Sequence, residues 1–141
     1  MWNNKLVFLI SVLLAFTVTL TQGIVAEENK IHNVDIVFGS SSVENGMFYN
    51  PPVVKIMIND SVNWINFDKN PHTVTGGTLE SKWGNVFDSG LMRKGEEFKF
   101  TFTKVGEYPY LCALHPFIIG KVFVEDPISN NISSNVNILQ N

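Results

Sequence analysis

Val53-Val54-Lys55-Ile56-Met57-Ile58-Asn59-Asp60-Ser61-Val62-Asn63-Trp64-Ile65-Asn66-Phe67 is the stretch on which the fold turns. Val54, Ile56 and Ile58 fall on one face with Lys55 opposite. Asn59-Asp60 is a turn pair, because short amide and carboxylate side chains bond their own backbone. After it, Val62 and Trp64 share one face and Ser61 and Asn63 the other. A period of two over both halves predicts two half-buried strands.

The same pattern recurs on either side. Val34, Ile36 and Phe38 alternate with Asp35 and Val37 until Gly39-Ser40-Ser41-Ser42 breaks the run. Asn50-Pro51-Pro52 reads as a turn or sheet edge, where proline is tolerated. Phe98, Phe100 and Phe102 alternate with Lys99 and Thr101 in the clearest strand of the chain. A last strand is predicted from Gly120 to Glu125. The stretch from Gly76-Gly77 to Gly90 is irregular and polar, and leaves a short helix undecided. Short strands punctuated by turn residues predict an all-β sandwich. Eleven phenylalanines among 141 residues suit such a core.

The ends read differently. Lys5 precedes an uncharged, mostly apolar run from Leu6 to Leu20, and small and polar residues follow to Ala26. Residues 1–26 therefore read as a secretory signal, with a membrane anchor through residues 6–26 as the alternative. Either one puts the domain at 27–126 outside the cytoplasm, in a periplasmic, pseudo-periplasmic or extracellular space. Residues 127–141 are rich in asparagine and serine and read as a flexible tail. Asn59-Asp60-Ser61 and Asn131-Ile132-Ser133 match the glycosylation sequon. The net charge of −3 gives no basic footprint for nucleic acid.

Cys112 is the only cysteine. In an exported chain it has no internal disulfide partner and must stay free, pair with another chain or bind a metal. His115 follows it by two intervening residues, on a predicted loop between strands. His72 follows a strand, at the turn set by Pro71. Turns from different strands cluster at one end of a sandwich, so His72 can close a site with the other two. One thiolate and two imidazoles are the equatorial set of a mononuclear electron-transfer copper centre. Zinc accepts the same donor types. His32 lies near the start of the domain with no partner at ligand spacing and is read as a non-ligand.

On these residues the chain resembles the cupredoxins, most closely the plastocyanin and amicyanin type. Asn59-Asp60-Ser61-Val62-Asn63-Trp64-Ile65-Asn66 resembles the family's turn into a valine-x-tryptophan-x-asparagine strand. Pro71-His72-Thr73-Val74 resembles its first ligand motif, and Gly106 to Phe117 its ligand loop. The resemblance implies a Greek-key sandwich of about eight strands holding one type 1 copper on His72, Cys112 and His115. It also implies that Asn66 braces the ligand loops and that the Pro71 carbonyl lies on one axial side.

The chain departs from that pattern at Ile118, where the resemblance places the axial methionine. Met47, Met57 and Met92 do not match that position. If Ile118 packs over the metal, copper is three-coordinate and its reduction potential rises. If Ile118 turns aside, the axial position is open to water or a small molecule such as nitric oxide. The first expectation is therefore an exported one-electron carrier. The alternative is a copper redox protein that binds or oxidises a small molecule, and a copper-delivery module is a third reading. For a carrier, Pro116 and Phe117 beside His115 form an apolar patch for a redox partner protein. The other reading of Phe117 and Ile119 places them in the core beneath the loop.

Overall fold

The computed structural model describes residues 28–77 and 84–127. Among them run eight strands: β1 Ile31–Ile36, β2 Tyr49–Asn50, β3 Val53–Met57, β4 Ser61–Asn66, β5 Thr75–Gly76, β6 Glu97–Thr101, β7 Gly106–Cys112 and β8 His115–Glu125. One sheet has the order β2-β1-β4-β6 and the other β3-β8-β7-β5. The sandwich read from the alternation is present, with eight strands as the family resemblance implied.

The stretch from Val53 to Phe67 supplies one strand to each sheet. Asn59, at φ 74°, turns the chain in the left-handed region that asparagine tolerates. β3 then pairs in parallel with β8, while β4 pairs in parallel with β1 in the opposite sheet. The alternating side chains meet between the layers, where Val34, Ile36, Val62 and Val122 are fully buried. Trp64 fills the centre, stacked on Phe87 at 5.5 Å and Phe98 at 5.8 Å, with Tyr110 edge-on at 5.3 Å.

Two expectations need correcting. β1 stops at Ile36, and Phe38 is 68% exposed, although it continues the alternation. The chain leaves the sheet there because Gly39 turns it at φ 81° and the backbone N–H groups of Gly39 and Ser41 bond to the Asp68 carboxylate. The last strand begins at His115 and not at Gly120, so only Ala113 and Leu114 separate β7 from β8. Leu111 pairs with Ile119 but Cys112 pairs with His115. Pro116, Phe117 and Ile118 are therefore looped out as a bulge opposite the Leu111–Cys112 step. Proline has no N–H to give to a ladder, so a bulge suits Pro116.

Between Gly84 and Gly90 the chain is irregular and contains no helix, while residues 78–83 lie outside the described part. The signal or anchor expected at 1–26 and the tail after Pro127 also lie outside it. Among the described residues no helix is long and apolar enough to cross a membrane.

Candidate metal centre

Two strand ends and the loop after β4 bring the donors to one end of the sandwich. β7 ends at Cys112 and β8 starts at His115, and the two residues face each other across the hairpin. His72 lies beyond the turn that follows β4, held by backbone bonds to Met92, His72 N to O at 3.1 Å and Met92 N to O at 2.8 Å. Cys112 and His72 are fully buried, and His115 is half-buried.

The Cys112 Sγ is 3.6 Å from His72 Nδ1 and 3.5 Å from His115 Nδ1. Potential ligand atoms of all three residues lie within 4.8 Å of one another. Metal–thiolate and metal–imidazole bonds of about 2.3 and about 2.0 Å, opened to trigonal or tetrahedral angles, separate S and N donors by roughly 3.5–3.8 Å. The donor set therefore fits a single ion, and its softness suits copper.

The electrostatics favour a cation. Burial pushes the Cys112 thiol up, but hydrogen bonds from His72, the Thr73 N–H, His115 and the Leu114 N–H outweigh it and bring the thiol down to about 6. The Thr73 N–H reaches the sulfur at 3.3 Å. Burial works against charge on His72, yet Cys112 and Asp68 together raise its imidazole. The thiolate thus faces the space between the two rings while the Asp68 carboxylate backs His72 from its far side, an arrangement that favours a cation beside the sulfur.

Neighbouring groups tie the segments together. Asn66 Nδ2 donates to the carbonyls of Met92 at 2.8 Å and Asn70 at 3.0 Å, and its Oδ1 accepts the Asp68 N–H at 2.8 Å. The Thr73 hydroxyl accepts the Ala113 N–H at 2.8 Å, which joins the His72 segment to the Cys112 turn. Pro71 is exposed beside buried His72 and lines a depression with Lys69, Leu91, Arg93 and Lys94. Ile118 is fully buried, in the bulge that follows His115. Pro116 is exposed, and so are Phe117 at 39%, Leu114 at 49% and Ile119 at 65%. Phe117 and Ile119 are therefore surface residues, and Phe117 stands edge-on to Phe48 at 5.3 Å.

The other candidates lie elsewhere. His32 bonds through Nε2 to Asp60 at 2.9 Å. Met57 pairs with Glu125, at the end of β8 away from His115. Sequence reading missed Asp68, whose carboxylate takes the His72 Nε2 at 2.9 Å, and Thr73. The only available hint for Asp68 was chemical: a buried ligand histidine needs an acceptor for its second nitrogen.

Comparison with known proteins agrees with this geometry. The profile of the family described as copper binding proteins, plastocyanin/azurin family, matches residues 37–125. Amicyanin from Paracoccus denitrificans is 37% identical over 81 residues, which cover 56% of this chain and 60% of that protein. Amicyanin-alpha from Methylorubrum extorquens is 32% identical over 91 residues, covering 62% of this chain and 73% of that one. The chain thus spans about three fifths of the Paracoccus amicyanins it matches. Among solved structures, a novel purple cupredoxin from Nitrosopumilus maritimus superposes with a TM-score of 0.63 at 30% identity, covering 67% of this chain and 99% of that one.

Proposed function

The chain belongs to the plastocyanin/azurin family of copper-binding proteins, and on that premise we propose that it is an exported one-electron carrier. What supports this most is the convergence of one buried thiol and two imidazoles, from the β7–β8 hairpin and the loop after β4. In this reading His72, Cys112 and His115 hold a single copper ion. Bound copper supplies a one-electron couple between its cupric and cuprous states.

The chain's own residues do the rest. The hairpin hydrogen bonds, Asn66 and the Thr73–Ala113 link fix the donors, so they need not rearrange when charge changes. Pro71 packs the approach to His72. Ile118 would offer a bound ion hydrocarbon and no donor atom, and its complete burial in the core cluster that also holds Cys112 supports a closed site over one open to nitric oxide or water. Half-buried His115 is the exit for the electron, and exposed Pro116 and Phe117, with Leu114, form an apolar collar around it. A collar this small suits the brief, low-area encounters of redox proteins. Lys69, Arg93 and Lys94 lie on the flank beside Pro71, so an acidic rim on the partner is the complementary charge.

Residues 1–26 act as export signal or anchor in this proposal, 27–126 as the copper domain and 127–141 as a tail. Copper(II)-loaded protein should be strongly coloured and give a reversible one-electron wave in voltammetry. Cys112→Ser should remove the colour while far-UV circular dichroism stays that of the sandwich. Protein that takes up copper but has no reversible couple rules out the carrier. Colour retained in Cys112→Ser rules out the thiolate assignment.

A further inference from the structure

We propose that Asp68 is a positioning residue for the copper ligand His72, and that its carboxylate makes His72 a stronger donor to cupric than to cuprous ion. The inference rests on His72 being a copper ligand. Asp68 Oδ2 lies 2.9 Å from His72 Nε2, and both side chains are fully buried. The opposite ring nitrogen, Nδ1, is the one beside the Cys112 sulfur. A neutral imidazole carries one N–H, so a proton donated from Nε2 leaves the Nδ1 lone pair free.

The carboxylate is held for this contact by its backbone. Its Oδ1 accepts the N–H groups of Lys69 at 2.7 Å and Gly39 at 3.0 Å, and its Oδ2 accepts that of Ser41 at 3.2 Å. Burying a carboxylate costs several kcal/mol unless it is paired and hydrogen-bonded, so four donors on one buried group mark a built arrangement. The Ser40 hydroxyl, at 3.4 Å from Nε2, is a weaker neighbour. A neutral acceptor such as a carbonyl or hydroxyl would satisfy the same N–H. What an anion adds is electron density on the ring, which favours the metal state of higher charge. This is the direction of the stabilisation that a thioether would have supplied in place of Ile118.

Asp60 provides an internal control. It too accepts a histidine Nε2 at 2.9 Å, from His32, but at the other end of the sandwich. Asp60→Asn and Asp68→Asn both remove a buried carboxylate from a histidine, and only Asp68→Asn should reach the copper. The cupric-over-cuprous affinity ratio should fall by about tenfold in Asp68→Asn, within the range for such outer partners. For a one-electron couple that is a rise of ~59 mV in reduction potential. Asp60→Asn should leave the potential in place.

A second measurement is read first on the wild type. In ¹⁵N-labelled wild-type protein loaded with cuprous ion, His72 should carry its proton on Nε2, as a slowly exchanging, downfield N–H resonance. That resonance should persist in Asp60→Asn and move upfield in Asp68→Asn. A His72 proton on Nδ1 in the wild type overturns the proposal, even if Asp68→Asn fails to fold. A folded, copper-binding Asp68→Asn with unmoved potential and N–H shift overturns it as well. Wild-type protein that takes up no copper, or whose His72 resonances ignore cuprous ion, refutes the carrier reading itself.

Discussion

Ile118→Ala tests the most distinctive residue of the site. Ile118 is fully buried and belongs to the same core cluster as Cys112. The substitution deletes three side-chain carbons, worth about 2.4 kcal/mol at about 0.8 kcal/mol per buried carbon. The cavity left behind adds to this, since the β-bulge is pinned on both sides by the β7–β8 pairs and has little room to collapse. The total should be about 3–4 kcal/mol, inside the range of about 2–5 kcal/mol for such truncations. For a domain of this size it should lower Tm by roughly 12–32 °C. The space of three carbons also exceeds the ~15 Å³ that a water molecule requires. Azide titrated into copper(II)-loaded protein should therefore alter the visible spectrum of Ile118→Ala and leave the wild type unchanged. Ile118→Met should restore packing to within about 1.5 kcal/mol and shift the spectrum by adding a thioether. A wild-type spectrum that responds to azide as the alanine variant does would show that Ile118 does not close the site. Loss of stability with no azide response in Ile118→Ala would remove Ile118 from the neighbourhood of copper.

Asp60 sets a pH dependence. Burial pushes its carboxyl up, but the Lys30 N–H, the His32 ring and the Met57 N–H hold it below the ordinary value. A depressed folded value stabilises the protein fully above the unfolded carboxyl value of about 4 and progressively less as pH falls through the folded one. Asp60→Asn should cost about 1–3 kcal/mol at neutral pH, with the gap to wild type narrowing in acid. Denaturant melts at both pH values check this, and a constant gap speaks against it. Gly120→Ala places a Cβ 2.7 Å from Cε2 of Tyr110, which is wedged against Tyr49 at 4.9 Å and Trp64 at 5.3 Å. It should destabilise by about 1–3 kcal/mol in a thermal melt, and an equal or higher Tm would mean the hairpin yields. Oxidation of the reduced protein by ferricyanide should slow as ionic strength rises from about 0.01 to about 0.1 M, where the Debye length shrinks from about 30 to about 10 Å. Lys69→Glu with Lys94→Glu should flatten that slope, and a wild-type rate that rises with salt would refute steering by the basic flank.

Much of the fold was legible because sheet burial imposes a period of two. Val54 and Ile56, Val62 and Trp64, and Val122 and Val124 are all buried, as their alternation predicts. Phe38 misled because the alternation continues past the end of the strand, and a distant carboxylate captures the backbone at Gly39 and Ser41. The start of β8 was placed late because Pro116 and its neighbours lack strand patterning, and only the register of β7 reveals the bulge around them.

The sequence by itself determined the donor types, a lone cysteine and histidines placed at strand ends, because the residue types carry the chemistry. It also determined that residue 118 brings no donor atom. Tertiary structure alone decided that the Cys112 sulfur lies 3.5–3.6 Å from both ring nitrogens. It decided too that Ile118 is buried while Phe117 is exposed, and that Asp68 is the group behind His72. These are distances between segments far apart in the chain. The stagger of the strands and the closing of turns set such distances, and neither leaves a local periodic mark on the residues concerned.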